Sequence, residues 1–360
     1  MTAGALKLTV YFGERARTAG DGFAADALAD IAARHELRAS VLLRGMEGFG
    51  AKHRLRTDRL LTLSEDLPLA FAAVDTRPRV EAALGEVTAL PFQGLVTLER
   101  ARLIAEPPGR VALLDAPGEA AKLTVYVGRH ERAGGRPASD AVVDVLRDAG
   151  VAGATVLLGV DGTLHGDRRR ARFTGRNTEV PLMIVAVGTG TAVATALGRL
   201  GGVLERPLAT LERVRLCKRD GVRIGEPRHV AGSDASGLGV WQKLTVFAGE
   251  QSRHAGAPLH AELLRELRRA GAAGATTLRG IRGYHGDHPP HGDTLWQLRR
   301  RVPVVTVIVD TPERTQEWFA IVDALTDETG LVTSELVPAL HVAAPGSEPP
   351  DGGLPLAHVE

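Results

Sequence analysis

The same short string occurs three times in this chain. Residues 7–13 read KLTVYFG, residues 122–128 KLTVYVG and residues 243–249 KLTVFAG, at steps of 115 and 121 residues. Three further blocks keep pace with it. The second is LLRGMEGFG at 42–50, LLGVDGTLHG at 157–166 and LRGIRGYHG at 278–286. The third is LPLAFAAVDT at 67–76, VPLMIVAVGT at 180–189 and VPVVTVIVDT at 302–311. The fourth is GLVTLE at 94–99, PLATLE at 207–212 and GLVTSE at 330–335. Four blocks in constant order mean three diverged copies of one unit. The period is too long for a solenoid repeat, so each copy is expected to be a domain. A chain of 360 residues also exceeds what one hydrophobic core usually supports.

Residues 1–104, 121–217 and 241–343 are assigned to copies one, two and three. The intervening stretches, 105–120 and 218–240, are rich in turn formers and read as linkers. The tail, 344–360, is rich in Pro and Gly and is expected to be disordered.

Within a copy the periodicities give an element order. Leu6, Leu8 and Val10 alternate with polar residues, which predicts a strand. Val142, Val143, Leu146 and Ala149 recur at helical spacing, with Ser139 and Asp140 suited to the N-cap and Gly150 to the C-terminal left-handed position. Strand two follows (residues 154–158 in copy two), then a Gly-rich segment expected as a loop, then the Pro-initiated apolar strand three. Thr311-Pro312-Glu313 predicts the cap of a second helix, and GLVTLE a fourth strand. The order β-α-β-β-α-β is the ferredoxin-like pattern. The fold class expected is therefore α+β: three ferredoxin-like domains packed as a pseudo-threefold, single-chain trimer. Such a sheet has one face without helices, and three copies turned towards one axis would bury it.

The blocks resemble the DUF190 family, a branch of the PII-like superfamily of trimeric signalling proteins. Copy one carries Arg44, Gly45, Gly48, Phe49 and Gly50, then Pro68, Val74-Asp75 and Gly94-Leu95-Val96-Thr97. Copy three keeps Arg279, Gly280, Gly283, Tyr284, Gly286, Pro303 and Val309-Asp310. Copy two has Leu158 in place of the Arg and Gly188 in place of the Asp. The resemblance implies ligand clefts between neighbouring copies beside the segment joining strands two and three. It also implies adenine nucleotides as ligands, and a membrane transporter or ion channel as regulated partner.

Several residues carry possible chemistry. The Gly-rich segments Arg44–Gly50, Gly159–Gly166 and Arg279–Gly286 would let backbone N–H groups and an Arg meet a phosphate; alternatively they are turns that touch no ligand. His285, Asp287, His288 and His291 offer N and O donors for a divalent metal, or form a solvated loop. Arg168–Arg172 with Arg176 could meet an acidic surface or simply be solvated. Lys7, Lys122 and Lys243 occupy one repeat position although Lys is scarce; edge charges that block aggregation are preferred over a cleft-facing role. Glu65-Asp66 reads as a solvated turn. Cys217, the only cysteine, excludes an internal disulfide and reads as a half-buried structural thiol.

Composition narrows the function classes. Net charge is +1 with 24% charged residues, which argues against a general nucleic-acid binder. No nucleophile–base pattern or phosphate-loop signature is present, so a non-enzymatic role is expected. No secretory signal or spanning segment is expected, and the single cysteine suits the cytoplasm. The preferred reading is a regulator binding a small anionic ligand between copies. A metal-binding protein and a ligand-free scaffold are the alternatives.

A fused trimer satisfies its own interfaces, so the chain should run as a monomer of 38.1 kDa in light scattering. An obligate trimer of chains would contradict that expectation.

Overall fold

The computed structural model describes residues 4–50, 56–57, 66–106, 113, 116, 118–170, 180–285, 291–292, 302–344 and 354–358. The fold is mixed α+β, with six helices among the described residues and three tandem domains.

Each copy has the same order of main elements. In copy one, strand one is Gly4–Gly13, helix one Ala24–Arg34, strand two Ala39–Phe49, strand three Pro68–Thr76, helix two Arg77–Thr88 and strand four Gly94–Ile104. In copy two they are Glu119–Gly128, Ala138–Asp148, Gly153–Leu164, Pro181–Gly188, Gly190–Leu200 and Ala209–Arg219. In copy three strand one is Trp241–Gly249, helix one Leu259–Arg269, strand three Pro303–Asp310 and helix two Pro312–Leu325. There strand two is split into Ala275–Arg279 and Arg282–His285, and strand four into Leu331–Val337 and Ala339–Ala343.

All three sheets are antiparallel with the spatial order four-one-three-two. Strand one is thus an interior strand. Its even-numbered residues in copy one, Leu6, Leu8, Val10 and Phe12, pack under the helices with Leu28, Ile31, Val80 and Leu84. The odd-numbered residues face the other way, where Ala5 and Tyr11 join an apolar cluster shared between copies. That cluster joins Val41 and Ala72 of copy one to Tyr126, Leu157 and Met183 of copy two and Leu278 of copy three.

The sheets are joined edge to edge in two closed circuits. At one edge, Leu103 and Ile104 of copy one pair with Thr210 and Ala209 of copy two. The far end of that strand, Arg215–Arg219, pairs with residues 331–334 of copy three. Residues Ala339–Ala343 of copy three return to pair with Leu98–Gly94 of copy one. At the other edge the second strands pair in the same cyclic manner: 45–49 with 275–278, 159–164 with 39–43, and 282–285 with 153–156.

The helix ends follow local chemistry. Gly150 has φ +77° and Gly271 φ +86°, the left-handed position that a helix C-terminus favours. The Thr311 hydroxyl accepts from the Arg314 N–H (3.4 Å), with Pro312 at the first helical position. In copy two the helix begins two residues earlier than a cap at Ser139 predicts: Pro137 precedes it and Ala138 is its first residue. Asp140 therefore lies in the first turn, where a carboxylate favours the helix dipole.

Two expectations need correction. The Gly-rich segments are not loops, because strand two runs on through Phe49 in copy one and Leu164 in copy two, and resumes at Arg282–His285 after a break at Gly280-Ile281 in copy three. Residues 354–358 are not disordered. Leu356 joins the core of copy one, Arg100 donates to the Ala357 carbonyl (2.7 Å), and the His358 N–H donates to Asp234 Oδ2 (2.7 Å). The physical reason is that Leu356 and Ala357 offer apolar surface that the Pro/Gly composition of the tail conceals.

The strand-two glycines make a backbone test possible. An added Cβ at Gly283 would lie 2.2 Å from the Ala154 carbonyl oxygen, and at Gly48 2.7 Å from that of Ala275, whereas at Gly50 it would meet nothing within 4 Å. Gly283→Ala and Gly48→Ala should each cost on the order of 1–3 kcal/mol, as overpacking does, while Gly50→Ala stays near neutral. Urea melts of the three variants check this order.

Candidate functional site at the junctions between copies

Each second strand carries Gly-x-x-Gly: Gly45-Met46-Glu47-Gly48, Gly159-Val160-Asp161-Gly162 and Gly280-Ile281-Arg282-Gly283. The two glycines sit over the proline that opens strand three of the same copy. Gly45 and Gly48 face Pro68, Gly159 and Gly162 face Pro181, and Gly280 and Gly283 face Pro303. They also meet another copy, since Gly48, Gly162 and Gly283 lie against the backbones of Ala275, Ser40 and Ala154. In copies one and two the first variable residue, Met46 or Val160, is the extra residue of a bulge where the register shifts. The glycines that the phosphate reading placed around an anion thus serve close backbone approach between copies. The sequence signal was present: copy two keeps Gly-x-x-Gly although it has lost the adjacent Arg.

The second variable residue has different chemistry each time, meeting a neighbouring copy directly in copies one and three and through Arg168 of its own copy in copy two. Glu47 Oε2 lies 3.9 Å from His260 Nε2 on helix one of copy three, both side chains buried. Arg282 Nη1 lies 3.0 Å from Asp140 Oδ1 of copy two. Arg168 donates to Asp161 Oδ2 (2.9 Å) and also to Asp30 of copy one. Arg168 is thereby part of a bridge between copies rather than a purely solvated charge. The residue after the second glycine enters the neighbour's core. Phe49 packs with copy three, Tyr284 packs with copy two and donates to the Val151 carbonyl (3.1 Å), and Thr163 donates to the Leu37 carbonyl of copy one (2.8 Å).

Arg44 and Arg279 lie at equivalent places, each against an acid at the end of strand one. Arg44 Nη2 reaches Glu14 at 3.0 Å and Arg279 Nη2 reaches Glu250 at 2.6 Å. Copy two has exchanged both partners, with Arg129 in place of the acid and Leu158 in place of the Arg. Among the described residues, nothing lies within 4 Å of a Cβ added at Gly50. Gly286, Asp287, His288 and Glu65 lie outside the described residues, as do the side chains of His285 and His291. Asp66 Oδ1 accepts from the Arg15 N–H (2.8 Å), so it anchors a turn. Cys217 is fully buried, and burial pushes its thiol up to about 12, which leaves no thiolate for chemistry at neutral pH.

The three lysines are not edge charges, because strand one is an interior strand. Each stands opposite a glutamate on strand four of its own copy: Lys7 opposite Glu99, Lys122 opposite Glu212 and Lys243 opposite Glu335. Each also reaches a glutamate of another copy. Lys7 lies 3.3 Å from Glu212, Lys122 pairs with Glu335, and Lys243 pairs with Glu99. The own-copy contacts are 3.5 Å for Lys7–Glu99, 3.4 Å for Lys243–Glu335, and the pair Lys122–Glu212. The result is a closed six-membered ring, Lys7–Glu99–Lys243–Glu335–Lys122–Glu212, with all six residues buried.

Burial alone would raise the carboxyls and lower the ammoniums. Around Glu99 the burial effect is outweighed by Lys243 and Lys7, and around Glu212 by Lys122 and Lys7, so both stay well below the usual carboxylate range. Lys7 is desolvated, yet Glu212 and Glu99 hold its ammonium well above the ordinary lysine value. Lys243 is raised in the same way, with Glu335 and Glu99 overcoming desolvation. Lys122 is the exception, held below the ordinary lysine value because burial outweighs Glu212 and Glu335. The glutamate carboxylates lie within 4.8 Å of one another, and each is paired with two of the three lysines.

The DUF190 family, described as an uncharacterized ACR, matches residues 5–103, 120–216 and 241–339. The chain belongs to that family, with three tandem copies. No described helix is long and apolar enough to cross a membrane.

Removing one ring member strands two charges. Glu99→Ala, which leaves Lys7 and Lys243 short of a partner, should destabilise by about 3–5 kcal/mol in a denaturant melt. Exchanging all six residues for Met and Leu should come close to neutral, since no charge is then buried. Because Glu99 and Glu212 sit below their unfolded value of 4.5, their contribution is complete above that pH. It is lost as pH falls through the folded values, so the unfolding temperature should drop on acidification. The six-fold variant should show a smaller drop.

Proposed function

We propose that the chain is a single-chain counterpart of a PII-like trimer. In this reading three ferredoxin-like domains surround a pseudo-threefold axis and act without catalysis. A small anionic ligand, such as an adenine nucleotide, binds in the clefts between copies. Binding changes affinity for a partner protein, for instance a membrane transporter or ion channel. The strand order four-one-three-two in each copy and the shared Lys–Glu ring support the architecture.

One observation carries the ligand class. Positive charge is concentrated in the segments that join strands two and three. Copy one has Lys52, Arg54, Arg56 and Arg59 there, copy two Arg168–Arg170, Arg172 and Arg176, and copy three Arg299–Arg301. In each segment these outnumber the acids, although the whole chain is only +1. That excess suits an anion. Arg44 and Arg279 each face a glutamate, so a ligand at those positions must compete with the carboxylate.

Calorimetry of the full chain with ATP, ADP, AMP and cyclic AMP tests the reading. A nucleotide should bind, and affinity should fall at least tenfold when Arg54, Arg59, Arg172, Arg176, Arg299 and Arg300 are changed to Gln. Heat from none of them would defeat it. Zinc binding abolished by His285→Ala with His288→Ala would then favour the metal reading, and silence in both a scaffold.

A further inference from the structure

The face that carries the Lys–Glu ring carries a second polar layer. Two residues along from ring members, and so on the same side of the sheet, stand Thr9 after Lys7, Thr124 after Lys122 and Thr333 before Glu335. Their cross-strand neighbours are also threonines, in the pairs Thr9–Thr97, Thr124–Thr210 and Thr245–Thr333. All six are buried, at 0–5% exposure. Six threonines from three copies therefore form a belt beside the charged ring. The belt lies within reach of the ring, because the Thr97 hydroxyl donates to Glu99 Oε1 (3.4 Å).

The belt is not satisfied by the protein. The hydroxyls of Thr9 in copy one, Thr124 and Thr210 in copy two and Thr333 in copy three have no hydrogen-bond partner among the described residues, and neither does Oε1 of Glu335. An orphaned hydroxyl at full burial is rare in folded proteins. Four of the six belt hydroxyls, two at the strand-one position (Thr9 and Thr124) and two at the strand-four position (Thr210 and Thr333), beside one orphaned carboxylate oxygen form a pattern rather than a local defect.

Charge and hydrogen-bonding capacity select the occupant. The ring holds three ammoniums and three carboxylates, so an ion of either sign gains no net attraction from it. A hydroxyl both donates and accepts, while Glu335 Oε1 only accepts. A small neutral molecule with both capacities matches that mixture. We propose that a cluster of ordered water molecules occupies the layer between the threonine belt and the Lys–Glu ring, bridging Thr9, Thr124, Thr333 and Glu335 Oε1. The centre of the assembly is then a hydrated polar seam instead of a dry ionic lock.

A crystal structure of the full chain at a resolution that places water, taken with a bromide soak, tests this directly. Density is expected within hydrogen-bond distance of Oγ1 of Thr9, Thr124 and Thr333, without anomalous signal. An empty belt, or an anomalous bromide peak in it, overturns the proposal. A solution test uses Thr9→Val, Thr124→Val and Thr333→Val, singly and together, since valine keeps the shape and removes the hydroxyl. Hydroxyls held by water are favourable to stability, so each variant should unfold at a lower temperature. A variant equal to or more stable than the parent means that the hydroxyls were dry and unsatisfied, and overturns the proposal. If the triple variant fails to fold, the single variants and the water relaxation dispersion of the parent chain decide, with long-lived internal waters expected.

Discussion

The Lys–Glu ring is the interaction on which the rest of the assembly depends. Every lysine is held by one glutamate across its own sheet and one from another copy. A copy standing alone would hold half of those contacts and expose the belt beside them. Charges taken out of water are tolerated only when fully paired. The ring therefore makes the folding of each sheet conditional on the other two, and it sets the distance at which the helix-free faces can approach. The apolar residues around it, such as Tyr126, Leu157 and Met183, supply attraction but not this selectivity.

The junctions at the sheet edges show how the repeat has been individualised. The same strand position carries Glu47, Asp161 or Arg282, and the facing partner is His260, Arg168 or Asp140. Exchanging two copies would bring Glu47 or Asp161 to the place where Arg282 now meets Asp140, and set like charges together. Divergence has thus given the junctions different partners, so that they are no longer interchangeable. The Arg–Glu pairs of copies one and three, absent from copy two, mark the same loss of equivalence.

Much of the architecture was legible because the periods of strands and helices survive in all three copies. The Thr311-Pro312 cap and the glycines after the helices were readable from local chemistry alone. The ring was half legible. Lys7, Lys122 and Lys243 stood out by recurrence, and Glu99, Glu212 and Glu335 end the fourth block of each copy, but nothing in a linear sequence gives the register that sets them opposite one another. The Gly-x-x-Gly segments misled for a related reason. Glycine weakens a strand, so a cluster of glycines reads as a loop. Here the missing side chains are what lets a neighbouring backbone pass, which depends on the partner copy and not on local preference.

The closing strand Ala339–Ala343 gives the chain a direction in time. It covers the edge formed by Gly94–Leu98, about 240 residues after that edge has been made. As the polypeptide emerges from the ribosome, copy one waits with a bare strand edge until copy three arrives. Strand Ala339–Ala343 is thus a latch from copy three that completes the first domain.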